Sequence, residues 1–145
     1  MAAERGIGTT VELAPGATIG DPATLLAAIE HVGLPELRLA LDTMHWVGAR
    51  LGANELREIG PDQIGYVQLS DTTLKPRQKS YMEEAMCERM APGDGELPLD
   101  ELLNEVPDDV VVGLEIPMRD LAEAGVSPID RLRSCVAVAR QLGCG

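Results

Sequence analysis

Short apolar runs that end in an acid or an amide recur along the chain, with stretches of helical spacing between them. Residues 7–13 form the first run, in which Val11 leads to Glu12. Residues 37–41 form the second, and Asp42 follows. Residues 64–69 form the third, where Gln68 and then Asp71 mark the exit, and residues 110–115 form the fourth, ending on Glu115. Apolar runs of this length bounded by polar groups predict buried β-strands.

The intervening segments carry helix signals. Asp21-Pro22 opens one helix, with Asp as N-cap and Pro in the first turn, and Gly33 and Pro35 close it. Leu25, Leu26 and Ile29 give that helix an apolar face. Shorter helical segments are predicted over residues 54–59, 80–90 and 98–106. Ser127-Pro128 caps a last helix in which Ile129, Leu132, Cys135, Val136, Ala139 and Leu142 keep helical spacing until Gly143. Strands alternating with helices predict parallel βα units in one domain, residues 1–145, without solenoid repeats or a dividing linker. Residues 71–97 form a long connection holding Lys75, Arg77, Lys79 and Arg89, and connections of that length are commonly functional. Met82, Met86 and Met90 recur every fourth residue there and read as a packing stripe.

Composition narrows the function. The 145 residues are 45% hydrophobic but include one Trp, two Tyr and no Phe, so the core must be aliphatic. A formal net charge of −12 argues against nucleic acid and against an anionic membrane surface, both of which are held through Lys and Arg. Cys87, Cys135 and Cys144 have neither zinc-site nor disulfide spacing, which points to a reduced, cytoplasmic setting. Cys135, within the last helix, reads as a small buried hydrophobe. No apolar run reaches membrane-spanning length, and the first residues lack the core of a signal peptide.

In parallel α/β proteins, chemistry gathers at the carboxyl ends of strands. Glu12, Asp42, Gln68 and Glu115 each stand at such an end. Oxygen donors with little sulfur or imidazole suit a hard or borderline divalent ion such as Mn²⁺, Mg²⁺ or Co²⁺. Converging carboxylates also repel unless a cation neutralises them. Such an ion would polarise a carbonyl, with a carboxylate on either side, Glu12 and Glu115, serving as acid and base. The plainer alternative for each acid is a helix cap or a surface ion pair. His45 is either a substrate-contacting, proton-handling group or a structural hydrogen-bonding histidine, and His31, at a helix end, reads as structural or solvated. Arg89 precedes a Pro-Gly-x-Gly turn that either aims it at a polyhydroxy or anionic substrate or leaves it an ordinary surface arginine.

Five segments in order carry a family likeness: Val11-Glu12-Leu13-Ala14-Pro15, Leu41-Asp42-Thr43-Met44-His45, Gly65-Tyr66-Val67-Gln68-Leu69-Ser70-Asp71, the run from Arg89 through Pro92-Gly93-Asp94-Gly95 to Pro98, and Gly113-Leu114-Glu115-Ile116. Together they resemble the sugar phosphate isomerase/epimerase family of xylose-isomerase-like TIM barrels, over about residues 6–142. The resemblance implies carbohydrate metabolism and a small sugar-like substrate. It implies metal ligands at Glu12, Asp42, Gln68 and Glu115, on strands five to eight of a barrel. It also implies substrate contacts from His45 and Arg89. Many epimerases of the family have His where this chain has Gln68; the glutamine, with Asp71 and the Arg-x-x-Pro-Gly-x-Gly run, is similar to the 3-dehydroshikimate dehydratase branch. That makes a lyase using the same metal the alternative chemistry. Family endonucleases use several His ligands and a basic surface, which two His and this charge do not supply.

A complete eight-stranded barrel takes about 250 residues. The expected fold is therefore half a (β/α)8 barrel, with both sheet edges and an apolar inner face open. The expectation is completion by a homo-oligomer or by an absent N-terminal half. A third reading is a catalytically incomplete half barrel acting as a fragment or assembly partner.

Overall fold

The computed structural model describes residues 2–143. Four strands, β1 (Thr9–Glu12), β2 (Leu37–Asp42), β3 (Ile64–Leu69) and β4 (Val112–Leu114), lie side by side in chain order. All three pairings are parallel, with Glu12 opposite Ala40, Asp42 opposite Gln68 and Gln68 opposite Gly113. This is the parallel array of βα units that the alternation of runs predicts, and the half barrel that the family resemblance implies. No helix among the described residues is long and apolar enough to cross a membrane.

Among the described residues, seven α-helices connect and cover the strands: α1 (Pro22–Val32), α2 (Thr43–Gly48), α3 (Ala53–Ile59), α4 (Tyr81–Cys87), α5 (Leu99–Leu103), α6 (Arg119–Glu123) and α7 (Pro128–Gln141). The caps follow the sequence signals. Asp21 accepts from Thr24 N at 2.9 Å, and the N–H of Gly33 at the other end of α1 closes onto Ile29 O from a left-handed φ of 65°. Ser127 caps α7 in the same way, accepting from Asp130 N.

The core lies between the helices and one face of the sheet. Leu39, Leu41, Val67 and Leu69 of β2 and β3 pack with Leu25, Leu56, Leu99 and Leu102 of α1, α3 and α5. Trp46 is buried there too, and its indole N–H donates to Gly52 O at 2.9 Å. The opposite face of the sheet is polar, contrary to the expected apolar inner surface. A Cβ at Gly65 would touch both Arg38 and Thr10, and a Cβ at Gly113 would fall on the Tyr66 hydroxyl. Thr10, Arg38 and Tyr66 therefore cover the concave side, where alternation also places Glu12, Asp42 and Gln68.

Several elements differ from expectation. Helices α2 (Thr43–Gly48) and α6 (Arg119–Glu123) are additional to the predicted elements: α2 starts at the strand exit itself, with Asp42 as its N-cap, and α6 has no side-chain cap. Helix α4 stops at Cys87 rather than continuing to 90, since Met90 pairs with Asp71 as an isolated antiparallel bridge. The methionine stripe does not pack: Met82 and Met86 are 49% and 68% exposed. On α7, Cys135 and Ala139 are buried as predicted, but Ile129, Leu132 and Val136 are exposed. Cys144 lies outside the described residues.

Candidate functional site

Asp42 is both the last residue of β2 and the N-cap of α2. Its Oδ1 accepts from the His45 backbone N–H at 2.8 Å, which starts the helix directly at the strand end. That turn brings the His45 ring over the end of the sheet. Nε2 of His45 lies 3.6 Å from Glu12 Oε1 and 3.9 Å from Asp42 Oδ2. One donor atom each from Glu12, Asp42 and His45 falls within 4.8 Å of the others.

A second group adjoins the first. Arg89 is buried, and its Nη1 lies 2.5 Å from Asp42 Oδ2 while Nη2 lies 3.5 Å from Glu115 Oε1. Its Nε donates to Ala85 O at 2.7 Å, so the guanidinium is fixed from the α4 side. Gln68 donates its amide N–H to Glu115 Oε2. All six residues singled out from the sequence thus meet at the carboxyl end of the sheet. Glu12, Asp42 and His45 gather around one point, and Gln68 and Glu115 form a pair joined to it through Arg89. Arg89 is no ordinary surface arginine, and Glu115 is the more open carboxylate, with a 43% exposed side chain.

The surroundings set the charge states. Burial, followed by the neighbouring charges of Asp42 and Glu115, pushes the Glu12 carboxyl up to about 7 against the opposing pull of Arg89. Burial holds His45 below its ordinary value, with Arg89 acting in the same direction and Asp42 and Glu115 opposing. Burial also raises Tyr81, whose hydroxyl is 2.5 Å from His45 Nδ1.

The donor set fits a divalent ion. Glu12 Oε1 is buried without a hydrogen-bond partner among the described residues, and it faces another carboxylate and an imidazole. A buried acceptor left unpaired beside like charge is what a bound cation relieves. Oxygen donors with one imidazole suit Mn²⁺, Mg²⁺, Co²⁺ or Zn²⁺.

The long connection after β3 is built around two buried acids. Asp71 accepts from Gly93 N, Gly95 N and Leu97 N at 2.9 to 3.0 Å and from Thr72 N at 2.8 Å, which clamps the Pro-Gly-x-Gly turn. Glu84 accepts from the Thr72 hydroxyl and from Arg77 N, tying α4 to the start of the connection. Above the strand ends a cleft of about 480 Å³ has His45, Arg89 and Glu115 on its polar side, and Met82, Met86 and Leu132 on its apolar side. The exposed methionines are therefore cleft wall.

Three contributors were not found from the sequence. Thr43 bridges the exits of β2 and β3, its hydroxyl donating to Ser70 O at 2.7 Å and accepting from Ser70 N at 3.0 Å. Glu84 and Tyr81 lie on α4, where the methionine spacing marks a helix but not what its other faces meet, so only folding reveals what they touch.

A family model described as xylose isomerase-like TIM barrel matches residues 1–141. Comparison with curated proteins gives no match. Among solved structures, the IOLI protein with a binding zinc atom aligns with a TM-score of 0.80 at 18% identity, covering 98% of this chain and 51% of that one. A xylose isomerase domain protein from Alicyclobacillus acidocaldarius subsp. acidocaldarius aligns at 0.70 and 20% identity, covering 98% and 52%. A D-psicose 3-epimerase from Clostridium cellulolyticum H10 aligns at 0.69 and 15%, covering 99% and 52%. The chain thus spans about half the length of these three solved structures.

Proposed function

Because the chain belongs to the xylose isomerase-like TIM-barrel family, we propose that it carries the metal-binding half of an isomerase or epimerase acting on a small, sugar-like polyhydroxy compound. The observation that carries this reading is the buried, unpartnered Glu12 Oε1 set against Asp42 and His45. The fold it shares with an epimerase and with a zinc-holding protein supports the same class.

Glu12 and Asp42 would hold the ion, with Gln68 and Glu115 as the remaining candidate ligands. The ion, when bound, supplies polarisation of a substrate carbonyl. The protein's own groups account for the rest. Glu12, beside the carbonyl, is placed to take a proton from the neighbouring carbon and to return one. Glu115 is the second acid/base group; Gln68 and Arg89 fix its two oxygens from one side while the cleft leaves it accessible. Arg89 and His45 orient substrate oxygens on the polar side of the cleft.

In this proposal the working barrel has further strands beside β1 and β4. Apolar side chains at both margins support it: Ile7, Val32 and Leu34 near β1 and α1, and Val111, Ile129 and Val136 near β4 and α7, are all exposed. The added strands belong to a second copy of the chain or to another half barrel. Free thiols at Cys87 and Cys135 fit a cytoplasmic setting.

The test is calorimetric titration of the chelator-treated chain with Mn²⁺, repeated on Asp42→Ala. Binding near one ion per chain that disappears in the variant is expected. Equal affinity in the two proteins, or no binding by either, would sink the site assignment.

A further inference from the structure

We propose that a cavity between α2 and the connection after β3 binds a small carboxylate with an apolar body, and that Arg50 is its ion partner. The cavity has a volume of about 240 Å³ and shares no lining residue with the cleft above the strand ends. Its walls are largely apolar: Met44 and Val47 from α2, and Pro76, Leu97 and the Tyr81 ring from the connection. Glu84 also borders it, but that carboxylate already accepts from the Thr72 hydroxyl and from the Arg77 and Gln78 amides. Arg50 lines the same cavity, and its side chain makes no hydrogen bond or ion pair among the described residues. The chain has 24 acidic against 12 basic residues, yet none of the described acids reaches this guanidinium.

The backbone at Arg50 points the same way. Helix α2 ends in a Schellman motif: the Leu51 N–H closes onto Trp46 O at 3.2 Å and the Arg50 N–H onto Val47 O at 2.8 Å, with Arg50 in the left-handed region at φ 64°. Glycine takes that place without strain, and the chain uses it after α1, α6 and α7, at Gly33, Gly125 and Gly143. After α2 the same place holds an arginine whose side chain has no partner in the fold, so the strain is kept for a contact made outside it. A planar guanidinium pairs with a carboxylate through parallel hydrogen bonds, which suits one compact monoanion. A multiply charged phosphate suits the cavity poorly, because Arg50 is the only cationic residue in its lining and Glu84 stands in its wall. The apolar walls call for a short alkyl or aryl body on that carboxylate. The Tyr81 ring lines this cavity while its hydroxyl contacts His45 Nδ1, so an occupant braces the side chain that reaches the candidate metal centre. Binding here does not depend on the function proposed above.

Titration of the full chain with phenylacetate and with hexanoate, followed in the ring spectra of ¹³C-labelled tyrosine, tests this directly. The two tyrosines are told apart with Tyr66→Phe. Both probes should move the Tyr81 signals saturably, and acetate, inorganic phosphate and the neutral phenylacetamide should bind roughly tenfold more weakly or less. Arg50→Gly separates the two properties of the position: it should raise the melting temperature, because glycine fits the left-handed turn, and abolish saturable binding. Leu74→Asp, at an exposed residue of the lining, should leave the fold intact and weaken both carboxylates by like charge. Tyr81 signals unmoved by either probe, equal binding of phenylacetate and phenylacetamide, or unchanged binding in folded Arg50→Gly would each overturn the proposal. None of these readouts requires a metal ion, so this site and the metal site fail separately.

Discussion

Arg89 Nη1 lies 2.5 Å from Asp42 Oδ2, and both side chains are shielded from solvent. The pair joins the helical connection after β3 to the end of β2, across 47 residues of sequence. Removing one partner of such a pair leaves a buried charge without compensation, at a cost of about 3–5 kcal/mol. Arg89→Met should lower the free energy of unfolding by that order in urea titrations of the metal-free chain. Mn²⁺ should recover part of the loss, since a cation at Asp42 replaces the missing guanidinium. A variant as stable as the parent would show that Asp42 is relieved by some other group.

The Pro-Gly-x-Gly turn should depend on Asp71. Its carboxylate collects the Gly93, Gly95, Leu97 and Thr72 amides, and hydrogen bonds to a charged group each contribute about 1.5–3 kcal/mol. Asp71→Ala should destabilise the chain by about 3 kcal/mol or more, with amide exchange accelerated first over residues 93–97. Gly95→Ala should perturb the same turn, because a Cβ there would overlap the Asp71 carboxylate and approach Thr72 O at 2.5 Å. Unchanged exchange in either variant would contradict the clamp.

Glu12 gives the metal-free chain a pH dependence of defined sign. Its carboxyl moves from an ordinary value of 4.5 up to about 7 on folding. The folded chain then binds more protons than the unfolded chain between those values. Stability from this group is complete below about 4.5 and is lost as pH rises through about 7. Melting temperatures of the chelator-treated protein should fall over that window, and Glu12→Gln should flatten the profile. Metal binding opposes protonation of the same oxygens, so Mn²⁺ affinity should rise with pH across the window. A rise in metal-free stability between these pH values in the parent relative to Glu12→Gln would refute the assignment.

The cysteines should differ in reactivity. Cys135 is fully buried on α7, its Sγ 3.3 Å from Arg131 O, and burial pushes its thiol up. Cys87 is only partly buried. Under native conditions a thiol reagent should modify Cys87 well before Cys135, as read by peptide mass mapping. Equal rates would mean that α7 opens readily from the sheet.

Much of the architecture follows from the linear pattern. Four apolar runs with polar exits become four parallel strands in chain order, because a strand buried under helices needs only a short uninterrupted apolar run. Asp21-Pro22 and Ser127-Pro128 open helices where they stand, because capping acts within a single turn. The convergence of Glu12, Asp42, Gln68 and Glu115 on one end of the sheet is likewise written in the sequence, since parallel strands point their carboxyl ends the same way.

Tertiary structure decided what each of those groups faces. Nothing local distinguishes Gln68 as the partner of Glu115, or Arg89 as the counter-ion of Asp42, because those contacts join residues 47 apart. The spacing of Met82 and Met86 suggested core packing, yet whether a helical stripe meets a core or a cleft depends on where the helix is set down. Tyr81 reaches His45 only because Gly48 leaves room for its ring. Strand order and polar exits are properties of the chain's periodicity; proton positions and ion pairs depend on distances that exist only once separate segments are packed together.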